Sequence, residues 1–237
     1  MSKDWREALA AGRVEEALAL ASLSGEGPRQ ALEALEGVLL SVRLRRYQDA
    51  LQTLEKRAAL LQQVVDVAAL RKDLEQLQQE RFEDLLEHPL LSAEAWLQKG
   101  ILAVAQGDLR EARDDFAEAA RRDPRHWRAW TNLGNAELEL GNLEAAEAAY
   151  QEAAKRNENY PEAFQGMAAL AKRRGDIGRM VALLKKAQKL RMRPREEQLP
   201  GAVLPAKKPA FGGFFGWRNR WLIWIALIIL AYWFMHR

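Results

Sequence analysis

Three histidines, 33 carboxylates and no cysteine are the groups from which this 237-residue sequence could assemble acid, base, nucleophilic or metal chemistry. The missing thiols exclude a disulfide scaffold, a thiolate metal site and cysteine catalysis. His88, His126 and His236 are far apart and none belongs to a His-Glu-x-x-His pair. Neither a glycine-rich phosphate loop nor a nucleophile elbow is present. His88 precedes Pro89 at an expected helix end and His126 falls in an expected turn, so both read as surface or capping residues. The carboxylates sit in helical charge patterns that solvate outer faces. No catalytic residue, metal ligand, cofactor or small-molecule substrate is expected. Recognition remains: side-chain amides such as those of Asn132 and Asn135 can satisfy the backbone of an extended peptide.

Helices must position these amides, and a 34-residue period spells them out. Trp96, Trp130 and Phe164 are successive members of one series; Gly100, Gly134 and Ala168 follow four residues later. The pairs Gly107-Asp108, Gly141-Asn142 and Gly175-Asp176 keep the same spacing, as do Ala112, Ala146 and Met180, then Phe116, Tyr150 and Leu184, then Ala119, Ala153 and Ala187. Each unit reads as two antiparallel helices. The aromatic residue anchors the first, the small residue permits close approach, and the glycine with its Asp or Asn ends one helix and caps the next.

The pattern resembles the tetratricopeptide repeat. Trp130, Leu133, Gly134, Ala146 and Tyr150 carry it in the second unit, and Trp96, Gly100, Ala112, Phe116 and Pro124 in the first. The third is degenerate, with Phe164, Gly175 and Ala187 retained. Three units are expected at 93–126, 127–160 and 161–194, and further divergent hairpins over 1–92. There, Gly12 to Ala17 echoes Gly107 to Ala112, and Val67, Leu70, Leu74 and Leu77 keep heptad spacing too briefly for a coiled coil. The resemblance implies a concave face lined by the first helix of each unit. On it would stand Gln98, Ile101 and Ala105, then Arg128, Thr131, Asn132 and Asn135, then Gln165, Ala169 and Lys172. Some members grip a terminal carboxylate, but Leu97, Ile101, Glu162 and Gly166 stand where other polar and basic members of that clamp belong, so none is expected.

Charge and hydropathy place the rest. The net charge is +3. The segment 196–237 holds five basic and two acidic residues, leaving 31 of each in 1–195, so net charge does not indicate a nucleic-acid-binding domain. Trp221 to Met235 is uncharged, with Trp217, Trp221 and Trp224 at one end and Tyr232, Trp233 and Phe234 at the other. With Ile228 at its centre and Arg218 and Arg220 snorkelling, 217–235 reads as a single membrane-spanning helix. Lys207, Lys208, Arg218 and Arg220 precede it, so the positive-inside rule predicts a cytoplasmic N-terminal domain behind a tail anchor. Residues 195–216, rich in Pro and Gly, read as a flexible linker.

Between Lys172 and Arg195 a basic run includes Lys185, Lys186, Lys189, Arg191 and Arg193 against Asp176 alone, and anionic headgroups would attract it. Arg outnumbers Lys by 25 to 11, which hints at a GC-rich bacterial genome and so at a bacterial inner membrane, with a eukaryotic organelle surface as the alternative. The whole is expected to be an all-α helical-hairpin solenoid of this repeat type, followed by a flexible linker and one C-terminal transmembrane helix. Its expected role is a non-enzymatic adaptor tethered to the bilayer, holding a protein partner in the concave groove. An accessory subunit or assembly factor of a membrane complex is the alternative. A regulator binding nucleic acid or anionic lipid through 172–195 is the reading from another class.

Overall fold

Alanine, leucine, glutamate and arginine crowd the repeat region, all residues that lose little on entering a helix. The computed structural model describes residues 4–25 and 27–193, and no strand occurs among them. Six helices precede the repeats: α1 Trp5–Ala10, α2 Val14–Ser24, α3 Arg29–Arg43, α4 Tyr47–Lys56, the single turn α5 Ala58–Leu61, and α6 Val67–Gln78. A 3-10 turn at Glu83–Leu85 leads into three hairpins: α7 Ser92–Gln106 with α8 Leu109–Arg122, α9 Trp127–Leu140 with α10 Leu143–Arg156, and α11 Pro161–Arg173 with α12 Ile177–Arg191.

Each hairpin turns on a glycine at positive φ: Gly107 at 85°, Gly141 at 87° and Gly175 at 77°. A side chain would strain this backbone. Asp108 then accepts from the amides of Arg110 and Glu111 at 3.1 and 2.9 Å, and Asp176 from that of Arg179 at 2.9 Å. Asn142 departs from the expected cap: its amide donates to Glu137 Oε2 at 2.7 Å, and α10 starts without a side-chain cap.

Small residues set the helix spacing. A Cβ on Gly100 would lie 2.6 Å from the Phe116 ring, and one on Gly134 2.7 Å from the Tyr150 ring. Tyr150 also fills the space beside Gly166, so one ring wedges between α9 and α11. In the third unit the corresponding Leu184 is exposed, while Ala187 and Leu190 carry the packing with Phe164.

The N-terminal helices build their own core from Leu35, Val38, Leu39, Val42, Leu54, Leu61, Leu70, Leu74 and Leu77. The heptad leucines of α6 are therefore buried within the chain itself. No helix among the described residues is long and apolar enough to cross a membrane. The segment 217–235, with Trp217, Arg218, Arg220, Trp221, Trp224, Ile228 and Trp233, lies outside the described residues, as does the linker 195–216.

Candidate protein-binding surface

The first turns of α7 are covered on their inner face by the chain's own N-terminal helices. Gln98 is buried, and its Nε2 donates to Tyr47 Oη at 2.9 Å and to the Leu77 carbonyl at 3.0 Å. One turn earlier, the buried Glu94 carboxylate accepts from Tyr47 Oη at 2.5 Å and pairs with His126 Nε2 at 2.9 Å. Arg128 Nη1 reaches both Glu94 oxygens at 3.1 Å and donates to the Arg43 carbonyl at 3.4 Å. Thr131 is buried, its hydroxyl returning to the Trp127 carbonyl of its own helix at 2.9 Å. Gln98 and Thr131 are thus internal, Gln98 because α4 and α6 cover this end of the repeats, while Arg128 is half-buried with its guanidinium engaged by Glu94.

Electrostatics hold the network together. Burial alone would raise the Glu94 pKa, yet Arg128, His126 and Tyr47 outweigh it and bring the carboxyl down to about 2. The Tyr47 phenol moves the other way, pushed up by burial and by Glu94. A second buried cation, Arg43, lies between Glu36 at 2.8 Å and Asp123 at 2.5 Å. Arg125 reaches Glu36 at 2.5 Å and Glu15 at 3.0 Å, which ties α2 and α3 to the turn before α9.

Sequence reading missed both clusters. It placed His126 at the surface, whereas the ring is buried, and it treated the carboxylates as solvating groups, whereas Glu94 and Asp115 are enclosed. One signal was available: Glu94 and Arg128 are opposite charges one 34-residue period apart. Glu139 with Arg173 at 3.3 Å repeats that relationship, and Arg193 donating to the neutral Asn159 at 2.8 Å keeps the spacing without the charge pair. His88 does act as a cap, its Nδ1 accepting from the amides of Leu90 and Leu91 at 3.1 Å each.

Beyond the first two turns of α7 the inner positions are more open. Asn132 is half-buried and makes no side-chain hydrogen bond among the described residues. Asn135 is exposed, and its Oδ1 accepts from Tyr150 Oη at 2.8 Å. Gln165 accepts from Arg191 Nη2 at 2.9 Å. Ile101, Ala105, Ala169 and Lys172 are exposed.

The basic run is partly neutralised at home. Arg173 pairs with Glu139, Arg174 with Glu144 and Glu147, and Arg179 with Glu147 at 2.7 Å. Arg191 approaches Glu162 at 3.8 Å, and the Lys186 ammonium sits 3.9 Å from the centre of the Phe164 ring. Lys172, Lys185 and Lys189 are exposed cations with no partner among the described residues. On the same helix Ile177, Val181 and Leu184 are exposed, as is Met192 just beyond it.

No curated protein matches the chain. Similar solved structures include a crystal structure of MamA, at 15% identity and a TM-score of 0.40 over 81% of this chain and 96% of that one. MamA from AMB-1 is 18% identical, with a TM-score of 0.42 over 75% and 98% of the two chains. The TPR2AB-domain:pHSP90 complex of yeast Sti1 is 15% identical, with a TM-score of 0.41 over 78% and 71%. The family model of the tetratricopeptide repeat matches residues 97–163. That segment runs from the first turns of α7 to the start of α11, and it is built of tetratricopeptide repeats.

Proposed function

We propose that this chain is a non-enzymatic adaptor that binds a protein partner on the inner face of α9 and α11 and is tethered to a membrane by its C-terminal segment. One observation carries the binding reading. Where the start of the first hairpin's inner face is covered from within, Asn132 offers an amide whose hydrogen-bonding capacity nothing in the described chain uses. An unsatisfied donor and acceptor on a curved helical surface suits the backbone of an extended segment or the polar flank of a helix. The tether rests on the sequence of 217–235 alone, with its uncharged core and aromatic ends. By the charge bias around that segment the repeats would face the cytoplasm, in a bacterial inner membrane. An accessory or assembly role in a membrane complex uses the same surface and the same anchor.

Two measurements test these readings separately. Asn132→Ala combined with Lys172→Ala should lose a co-purifying protein while the helical circular dichroism is unchanged; retention of every partner refutes the surface. Carbonate extraction should leave the full chain in the membrane pellet and release a chain truncated after residue 195. Release of both refutes the anchor.

A further inference from the structure

Between the α3–α4 turn and the first turns of α9 and α11 opens a cleft of 690 Å³. Leu44 and Arg46 form one wall, Trp127 and Arg128 a second, and Tyr160, Pro161 and Glu162 a third, with Arg191 at the rim. Four observations give it an electrostatic sign. Arg46 is half-buried, yet its guanidinium has no hydrogen bond or ion pair among the described residues. Trp127 is buried with an indole N–H that meets no acceptor. Helices α9 and α11 both start here without a side-chain cap, and of the two only α11 carries an acidic residue, Glu162, in its first turn, so the positive end of α9 faces the cleft uncompensated. Arg191 is held only by Gln165 and by Glu162 at 3.8 Å, contacts that an incoming carboxylate can replace. Against this, Glu162 is the sole acidic residue in the lining, and Glu94 already neutralises Arg128 from behind.

The walls are not only charged. Trp127 and Tyr160 meet edge to face, with ring centres 6.4 Å apart, and Leu44 and Pro161 extend the apolar surface. Such a site asks for a ligand that alternates carboxylates with apolar groups. An extended peptide does so, because successive side chains point to opposite sides. We propose that this cleft binds an acidic, extended peptide segment of a partner protein. Arg46 and Arg191 take its carboxylates by forked hydrogen bonds, and Leu44 and Tyr160, the partly exposed apolar members of the lining, take the apolar side chains between them. The assignment rests on the adaptor reading above and adds to it the chemistry of the partner. It also gives a role to the α3–α4 turn, which lies outside the repeats.

Fluorescence anisotropy of a dye-labelled Glu-Leu-Glu-Leu-Glu peptide with the detergent-solubilised full chain tests it. The wild type should bind saturably, and Arg46→Ala and Arg191→Ala should each weaken binding about tenfold or more, the loss expected for one charged hydrogen bond. Arg46→Lys should recover part of it. The same peptide with Gln for Glu should bind at least tenfold more weakly, and equimolar inorganic phosphate should leave binding unchanged. Absence of wild-type binding overturns the assignment. So does equal binding of the Gln peptide, full displacement by phosphate, or an Arg46→Ala protein of intact helicity that binds like the wild type. If the probe fails while Asn132→Ala with Lys172→Ala still loses a cellular partner, the cleft is refuted and the adaptor reading stands. If the probe binds while that double variant loses nothing, the converse holds.

Discussion

Glu94 on α7 holds Arg128 on α9 through both carboxylate oxygens at 3.1 Å, and the two residues occupy the same position in successive repeats. One period of helical hairpin brings equivalent positions side by side, so opposite charges there become a bond between units. Tyr47 and His126 complete the shell, and the pair thereby also fixes the N-terminal helices to the repeats.

Removing one partner of a buried pair leaves the other charged and dry. Glu94→Gln should therefore cost about 3–5 kcal/mol in urea unfolding followed by circular dichroism. Adding Arg128→Met should recover part of that loss, because an uncharged pair no longer has a desolvated cation to accommodate. No recovery in the double variant would show that the network contributes through shape and not through charge.

The same carboxylate predicts the acid limb of stability. A folded pKa of about 2 lies below the unfolded value of about 4.3, so the contribution is complete above the unfolded value. It drains away as pH falls through about 2. Stability of the wild type should drop across that window, and the Glu94→Gln variant should show a shallower slope there. Parallel slopes for the two proteins would exclude Glu94 as the titrating group.

Glycines in these helices should split by what surrounds them. Gly134→Ala would drive a methyl to 2.7 Å from the Tyr150 ring, and such overpacking costs about 1–3 kcal/mol. Gly37, in the middle of α3, has open space for 4 Å around the place a methyl would occupy, and its φ is not positive. Gly37→Ala should stabilise by about 0.5–1 kcal/mol through helix propensity. Paired thermal melts decide the matter, and the same sign for both changes would count against the close-approach account.

On α12, the unpaired Lys185 and Lys189 flank exposed Val181 and Leu184. If anionic lipid is their partner, Lys185→Glu with Lys189→Glu should weaken binding of a chain truncated after residue 195 to phosphatidylserine vesicles, by about 1 kcal/mol per charge. Reversing Arg174 and Arg179, which are engaged with Glu147, should act mainly on stability. Unchanged vesicle binding would leave the lysines as solubilising charge.

The helical hairpins were legible because their determinants are local and periodic. Trp96, Gly100, Gly107 and Phe116 recur at 34 residues, and a glycine turn followed by a capping Asp dictates the same geometry wherever it occurs. Gln98 and Arg128 were equally legible as inner-face positions, but what meets them was not. Tyr47 and Leu77 reach Gln98 from 51 and 21 residues away, and the α3–α4 turn delivers Arg43 and Arg46 beside α9 without any repeating spacing. The period of the chain alone determines which residues face the same way. Only tertiary packing decides whether that face is covered, because desolvation and long-range ion pairing depend on distances that no local pattern encodes. For this protein that difference closes Gln98 and Thr131 of the expected groove into the core and leaves a basic cleft at its edge.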